Sequence, residues 1–166
     1  MRNYRGKDIE KIKKRDADEW WKNWRSICRR NRKNVLCNNT YGGRIMKLVR
    51  YCVMNFRSVK NSGWIDCDDV TTLVGVNESG KSNLLLALWK LNPARGGEID
   101  ILHDMPVSEL STLRNRKNEV KFISAEFEME KDCAEVISKN TGYKCEEGMR
   151  VIVSRFYDGR YEIDFP

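Results

Sequence analysis

At 166 residues, 40% hydrophobic and 33% charged, the chain is long enough for one domain with a proper core and too short for two large ones. No apolar run reaches the ~18 residues of a membrane span, the opening residues lead into no secretory signal, and six cysteines without a CxxC pair beside a lone His103 argue against zinc or a disulfide framework, and for reduced cytoplasmic thiols. The +7 charge is lopsided: residues 1–45 hold 14 Lys and Arg against 5 Asp and Glu, and the remainder holds 17 against 19.

Residues 1–45 therefore separate from the rest as a basic N-terminal extension. Residues 8–30 have the spacing of a helix with Ile9, Ile12, Trp20, Trp24 and Ile27 on one side. Basic residues interleaved with Trp20, Trp21 and Trp24 suit nucleic acid, although a solvated or partner-bound helix accounts for the same pattern. A third reading makes Met46 the true start. Strand character begins there at once, and codons for Gly42-Gly43-Arg44 can supply a purine-rich ribosome-binding run. A native peptide from upstream of Met46, found by mass spectrometry, would reject that reading.

From Met46 onward the chain reads as one domain over 46–166. Lys47 to Phe56 is a strand with apolar residues on both faces, Leu48, Cys52, Met54 and Phe56 against Val49, Tyr51 and Val53. A turn at Asn61-Ser62-Gly63 leads to a short strand, Trp64 to Cys67, and Val70 to Val74 has the β-branched character of a buried strand. Then comes Gly75-Val-Asn-Glu-Ser-Gly80-Lys81-Ser82, which fits GxxxxGK[ST]. Its glycines let the backbone wrap a phosphate, Lys81 neutralises the outer phosphates, and the Ser82 hydroxyl ligates Mg²⁺. The helix formers Asn83 to Leu91 follow, aiming the positive end of a helix dipole at the loop, until Asn92-Pro93 and Gly96-Gly97 stop them.

Residues 98–118 read as a polar connection with a helical turn over Ser108 to Leu113 after Pro106. Glu119 to Met129 returns to strand, with Ile123, Ala125, Phe127 and Met129 on one face. Cys133 to Asn140 is a short helix capped by Asp132 and ended at Gly142. Arg150 to Tyr157 and Arg160 to Phe165 make a hairpin across Asp158-Gly159, a dipeptide of primed turns. The expected fold class is α/β, a mixed β-sheet around a phosphate-loop (P-loop) helix, forming the N-terminal lobe of a P-loop NTPase and an incomplete ATPase head.

Asn55-Phe56-Arg57-Ser58 at the end of the first strand, followed by Leu73-Val-Gly-Val-Asn-Glu-Ser-Gly-Lys-Ser-Asn-Leu-Leu-Leu-Ala-Leu88, resembles the N-terminal lobe of ABC-type ATPases of the SMC/RecF group, and within it the AAA domains of OLD-family nucleases. The resemblance is strong from Met46 through Leu91 and weak beyond. It implies that Asn77, Glu78, Ser79, Gly80, Lys81 and Ser82 cradle the triphosphate of ATP, with Lys81 on the β and γ phosphates and Ser82 on Mg²⁺. Arg57 would reach the nucleotide from the side, or serve as a surface salt-bridge residue. Asn83 either touches ligand or bonds locally.

The chain departs from that family by having no Gln, where these ATPases carry a metal-sensing glutamine, and by matching no Walker B or signature segment. Asp100 or Asp104 is an alternative oxygen ligand for the metal, or an ordinary loop residue. The resemblance implies two complete heads that sandwich ATP as a homodimer and act on DNA in repair or phage defence. Binding without hydrolysis is then the expectation for this chain, with no catalytic residue assigned within it. The competing reading is a standalone, non-catalytic nucleotide-binding module whose basic arm grips nucleic acid. A nucleoside kinase fits less well, for lack of an arginine-rich lid.

Overall fold

The computed structural model describes residues 46–165 apart from 77–78, 94–96, 132, 136–137 and 139–143. The expectations for residues 1–45, the Asp132 cap and the Gly142 stop lie outside the described residues. Among the described residues five strands form the sheet: β1 Met46–Phe56, β2 Val59–Asp66, β3 Lys121–Met129, β4 Arg150–Phe156 and β5 Tyr161–Asp164. Their order is β2-β1-β3-β4-β5, and every neighbouring pair is antiparallel. This corrects the expected mixed sheet.

The difference comes from Val70 to Val74. That run forms no strand, and Val70 and Val74 are 85% and 90% exposed. A strand apolar on both faces needs cover on both sides. Among the described residues, β1 is already flanked by β2 and β3, so no pairing edge of it is left for the run.

The β1–β2 turn also differs from expectation. Phe56 pairs with Val59 across Arg57-Ser58, so the chain reverses before Asn61. Gly63, at φ 65°, instead forms the extra residue of a bulge opposite the step from Cys52 to Met54. The β4–β5 turn is longer than the expected two residues. Gly159 N–H donates to the Phe156 carbonyl at 3.0 Å and Gly159 has φ 86°, whereas Asp158 is not among the residues of positive φ. That is a three-residue loop with Gly in the left-handed position, because a type I′ turn needs positive φ at both central residues.

One face of the sheet carries the core. Tyr51, Ala125, Val153 and Ile163 lie side by side across four strands, and all are buried. Helix α1, Lys81–Leu91, packs on β1 and β3 and buries Ala87, Lys90 and Leu91. Its last carbonyls are taken up from the far hairpin: Arg155 Nη1 donates to Lys90 O, and Tyr161 OH to Leu91 O at 3.0 Å. Such side chains do for a helix C-terminus what a glycine cap would do.

Residues 98–118 hold more helix than their polarity suggested. They form α2 Ile101–Asp104, a 3₁₀ turn Val107–Glu109, α3 Leu110–Leu113 and a second 3₁₀ turn Arg114–Arg116. Asp100 caps α2 by accepting from Leu102 N and His103 N. The helix after β3 begins at Lys131, two residues before the expected Cys133, since the amides of Cys133 and Ala134 both donate to the Glu130 carbonyl.

The opposite sheet face is polar, and its centre is Glu126, 3% exposed, held by Arg50 and by Arg150 Nη1 at 3.2 Å. Burial pushes the Glu126 carboxyl up, but the bonds and charges of the two arginines outweigh it and hold it below its ordinary value of 4.5. An acid depressed in the native state contributes fully above its unfolded pKa and loses that contribution as pH falls through the native one. Glu126→Gln is therefore expected to lower stability at pH 7 and to flatten the acid loss below about pH 4.5. Urea midpoints at pH 7, 5, 4 and 3 measure this; an acid limb as steep as the wild type's contradicts it.

Candidate functional site

Three segments meet where α1 begins. The first is the glycine loop. Gly80 stands at the helix N-cap with φ 89°, and the amides of Asn83 and Leu84 donate to its carbonyl, both at 3.0 Å. The helix thus starts at Lys81, two residues before the expected Asn83, which puts Lys81, Ser82 and Asn83 in its first turn. Ser79 N–H donates to Val76 O at 3.3 Å and turns the loop back on itself. Lys81 Nζ sits inside the turn, donating to Gly75 O at 2.7 Å, Val76 O at 2.6 Å and Ser79 Oγ at 3.2 Å. Asn77 and Glu78 lie outside the described residues.

The second segment is the tip of the β1–β2 hairpin. Asn55 and Arg57 both have left-handed backbones, φ 49° and 51°, which cost of order 1 kcal/mol each for residues with a Cβ. Bonds from elsewhere hold them. The Tyr157 hydroxyl lies between Asn55 O at 2.6 Å and Asp104 O at 2.9 Å, and Arg57 N–H donates to Asp104 O at 2.7 Å. Phe56, between the two strained residues, stacks with Phe122 at 5.7 Å, and Phe122 with Tyr157 at 5.3 Å. Burial, with the Asp104 charge second, pushes the Tyr157 phenol far up, only partly offset by Arg57, so it remains a neutral donor. The hairpin tip meets the loop directly: Asn83 Nδ2 donates to Ser58 Oγ at 2.8 Å, and a Cβ on Gly80 would stand 3.4 Å from that oxygen.

The third segment is α2 and the turn after it. Asp104 is fully buried; its Oδ2 receives Lys90 Nζ of α1 and the Asp100 amide at 2.9 Å, and Oδ1 faces Arg57 Nε at 3.5 Å. Between the hairpin tip and this turn lies a cleft of about 630 Å³, lined by Arg57, Ser58, Lys60, Asn83, His103 and Pro106 among others. Its volume falls in the range of small-molecule sites.

This geometry revises several expectations. Asp104 is committed to Lys90 inside the core and is no loop carboxylate open to a metal. Asp100 is committed as well, to the α2 cap and to His103 Nδ1 at 2.6 Å, and chiefly that bond holds its carboxyl below the usual range. The Asn83 side chain bonds across to Ser58, neither of the two roles expected for it. Arg57 is a salt-bridge residue, though to a buried acid, and it also lines the cleft. Tyr157 and Lys90 had no signal in the sequence, and Asp104 was read there only as a metal ligand or a loop residue. Tyr157 stands 102 residues from Asn55, and only the closing of β3 and β4 on β1 brings them together.

The family model of the AAA ATPase domain matches residues 46–152, from the first strand into β4. The chain belongs to the AAA ATPase domain family. Such a domain is a nucleotide-binding module. The chain is also 34% identical over 95 residues to the uncharacterized protein MJECL44 of Methanocaldococcus jannaschii, an alignment taking in 54% of the chain and 27% of that protein. The chain spans little more than a quarter of the relative's length. No helix among the described residues is long and apolar enough to cross a membrane.

Proposed function

We propose that residues 46–166 are the N-terminal lobe of an ATPase head of the SMC/RecF/OLD group, and that the lobe binds ATP with Mg²⁺. Asn77, Glu78, Ser79, Gly80, Lys81 and Ser82 surround the triphosphate, Lys81 meets the β and γ phosphates, and Ser82 ligates the metal. Arg57 and Asn83 approach from the side of the cleft, which has room for the rest of the nucleotide. One observation supports this above the others: α1 opens with a lysine, has no acid in its first turn and no side-chain cap. A cation at the positive end of a helix is unfavourable on its own account. It becomes favourable when an anion completes the site. The strained Asn55-Phe56-Arg57-Ser58 tip packed against that loop supports the narrower group.

Hydrolysis belongs, in this reading, to two complete heads closed on ATP, since phosphoryl transfer needs the metal held from two sides and a positioned water. Action on DNA in repair or phage defence would be the work of that larger assembly. Titration of the chain with ATP, ADP and AMP, each with and without Mg²⁺, tests the binding step. ATP with Mg²⁺ is expected to bind at least about tenfold more tightly than AMP, and Ser82→Ala to remove most of the gain from Mg²⁺. Equal affinity for ATP and AMP would contradict the proposal.

A further inference from the structure

We infer that Asp104 is the positioning residue of this site, fixing Arg57 at the cleft and tying it to the helix that carries Lys81; the inference rests on the triphosphate reading above. Asp104 joins α1 to the β1–β2 hairpin tip. Its Oδ2 takes Lys90 Nζ, nine residues along α1 from Lys81, while its carbonyl takes the Arg57 amide at 2.7 Å. Its other carboxylate oxygen, Oδ1, is buried and has no hydrogen-bond partner among the described residues. Such an atom is costly to leave unpaired, and native cores rarely do so. The charge facing it is Arg57 Nε at 3.5 Å, on a side chain 39% exposed that lines the cleft.

A carboxylate serving only to neutralise Lys90 would need no second oxygen turned toward the hairpin tip. Here that oxygen makes an ion-pair contact with Arg57 Nε at 3.5 Å, short of a hydrogen bond, and leaves the remaining guanidinium donors for the cleft. The same residue fixes Arg57 by backbone and by side chain, which offsets the left-handed strain at φ 51°. Arg57 is then preorganised for an anion rather than free to wander, and its distance from Lys81 is set by the Asp104–Lys90 link.

A double-mutant cycle on Mg·ATP affinity tests this in the full chain, with Asp104→Asn, Arg57→Ala and the two combined, and with denaturation midpoints measured alongside. Asp104→Asn is expected to weaken Mg·ATP binding about threefold to tenfold alone and to add nothing once Arg57 is Ala. A structural role would weaken binding by the same factor in both backgrounds, and that result, or no effect in either, overturns the inference. Should Asp104→Asn fold poorly, the cycle is run from Asp104→Asn/Lys90→Met, which removes both buried charges, with the same criteria. Lys81→Ala is titrated in parallel: if it changes nothing, the triphosphate reading fails and takes the inference with it. If it weakens binding while the cycle is additive, only the role of Asp104 falls.

Discussion

Lys81→Ala is expected to weaken Mg·ATP binding by about 10- to 100-fold, the worth of one or two charge-assisted hydrogen bonds. The ammonium is the focus of the loop, held by Gly75 O, Val76 O and Ser79 Oγ. Removing it costs twice. The phosphates lose their counter-charge, and the loop loses the three bonds that keep it curled around the place where they would sit. Stability should change little, because the Lys81 head group touches only the loop and no core residue. Lys81→Arg is not expected to rescue binding, since a planar five-donor fork does not fit a ring shaped to a compact ammonium. Calorimetric titration checks all of this, and unchanged affinity in Lys81→Ala would end the nucleotide reading.

The largest loss of stability is expected from Lys90→Met, about 3–5 kcal/mol. Lys90 and Asp104 form a buried pair, with Lys90 Nζ also donating to Glu98 O at 2.8 Å. Methionine fills the volume well enough. What it cannot do is compensate Asp104, fully buried, whose charge would stand without its main partner. Adding Asp104→Asn to Lys90→Met is expected to recover a large part of the loss, because removing a buried pair together is far cheaper than breaking it. Urea denaturation of the two single variants and the double distinguishes the cases. A loss below about 1 kcal/mol for Lys90→Met would mean that the pair is solvated and not buried.

Lys90 also illustrates why part of this site was illegible from the sequence. Among the leucines of its helix, nothing local marks it as a buried lysine. In the fold it points into the core, because α2 brings Asp104 beneath it and β4 brings Arg155 over its carbonyl. The Asp100-to-Asp104 segment reads as solvated loop for the same reason: nothing local tells a carboxylate that a lysine 14 residues away will bury it. Val70 to Val74 erred in the other direction. Its composition is that of a buried strand, yet pairing depends on a free neighbouring edge, and that is decided by the order of the strands.

What the sequence by itself determined were the features written in local chemistry. An apolar run on both faces marked β1, alternation marked β3, the Asp158-Gly159 reversal marked a hairpin, and a lysine after Gly80 ahead of a leucine-rich run marked α1 to within two residues of its start. These depend on residues within one or two turns of each other, so distance in the chain costs them nothing. Tertiary structure alone decided the all-antiparallel order, the burial of Glu126 between two arginines, and the Asp104 network that joins Arg57, Lys90 and Tyr157. Each of those brings charges or carbonyls together across 14 to 102 residues. Their energies come from desolvation and partner geometry, which exist only after the chain has closed on itself.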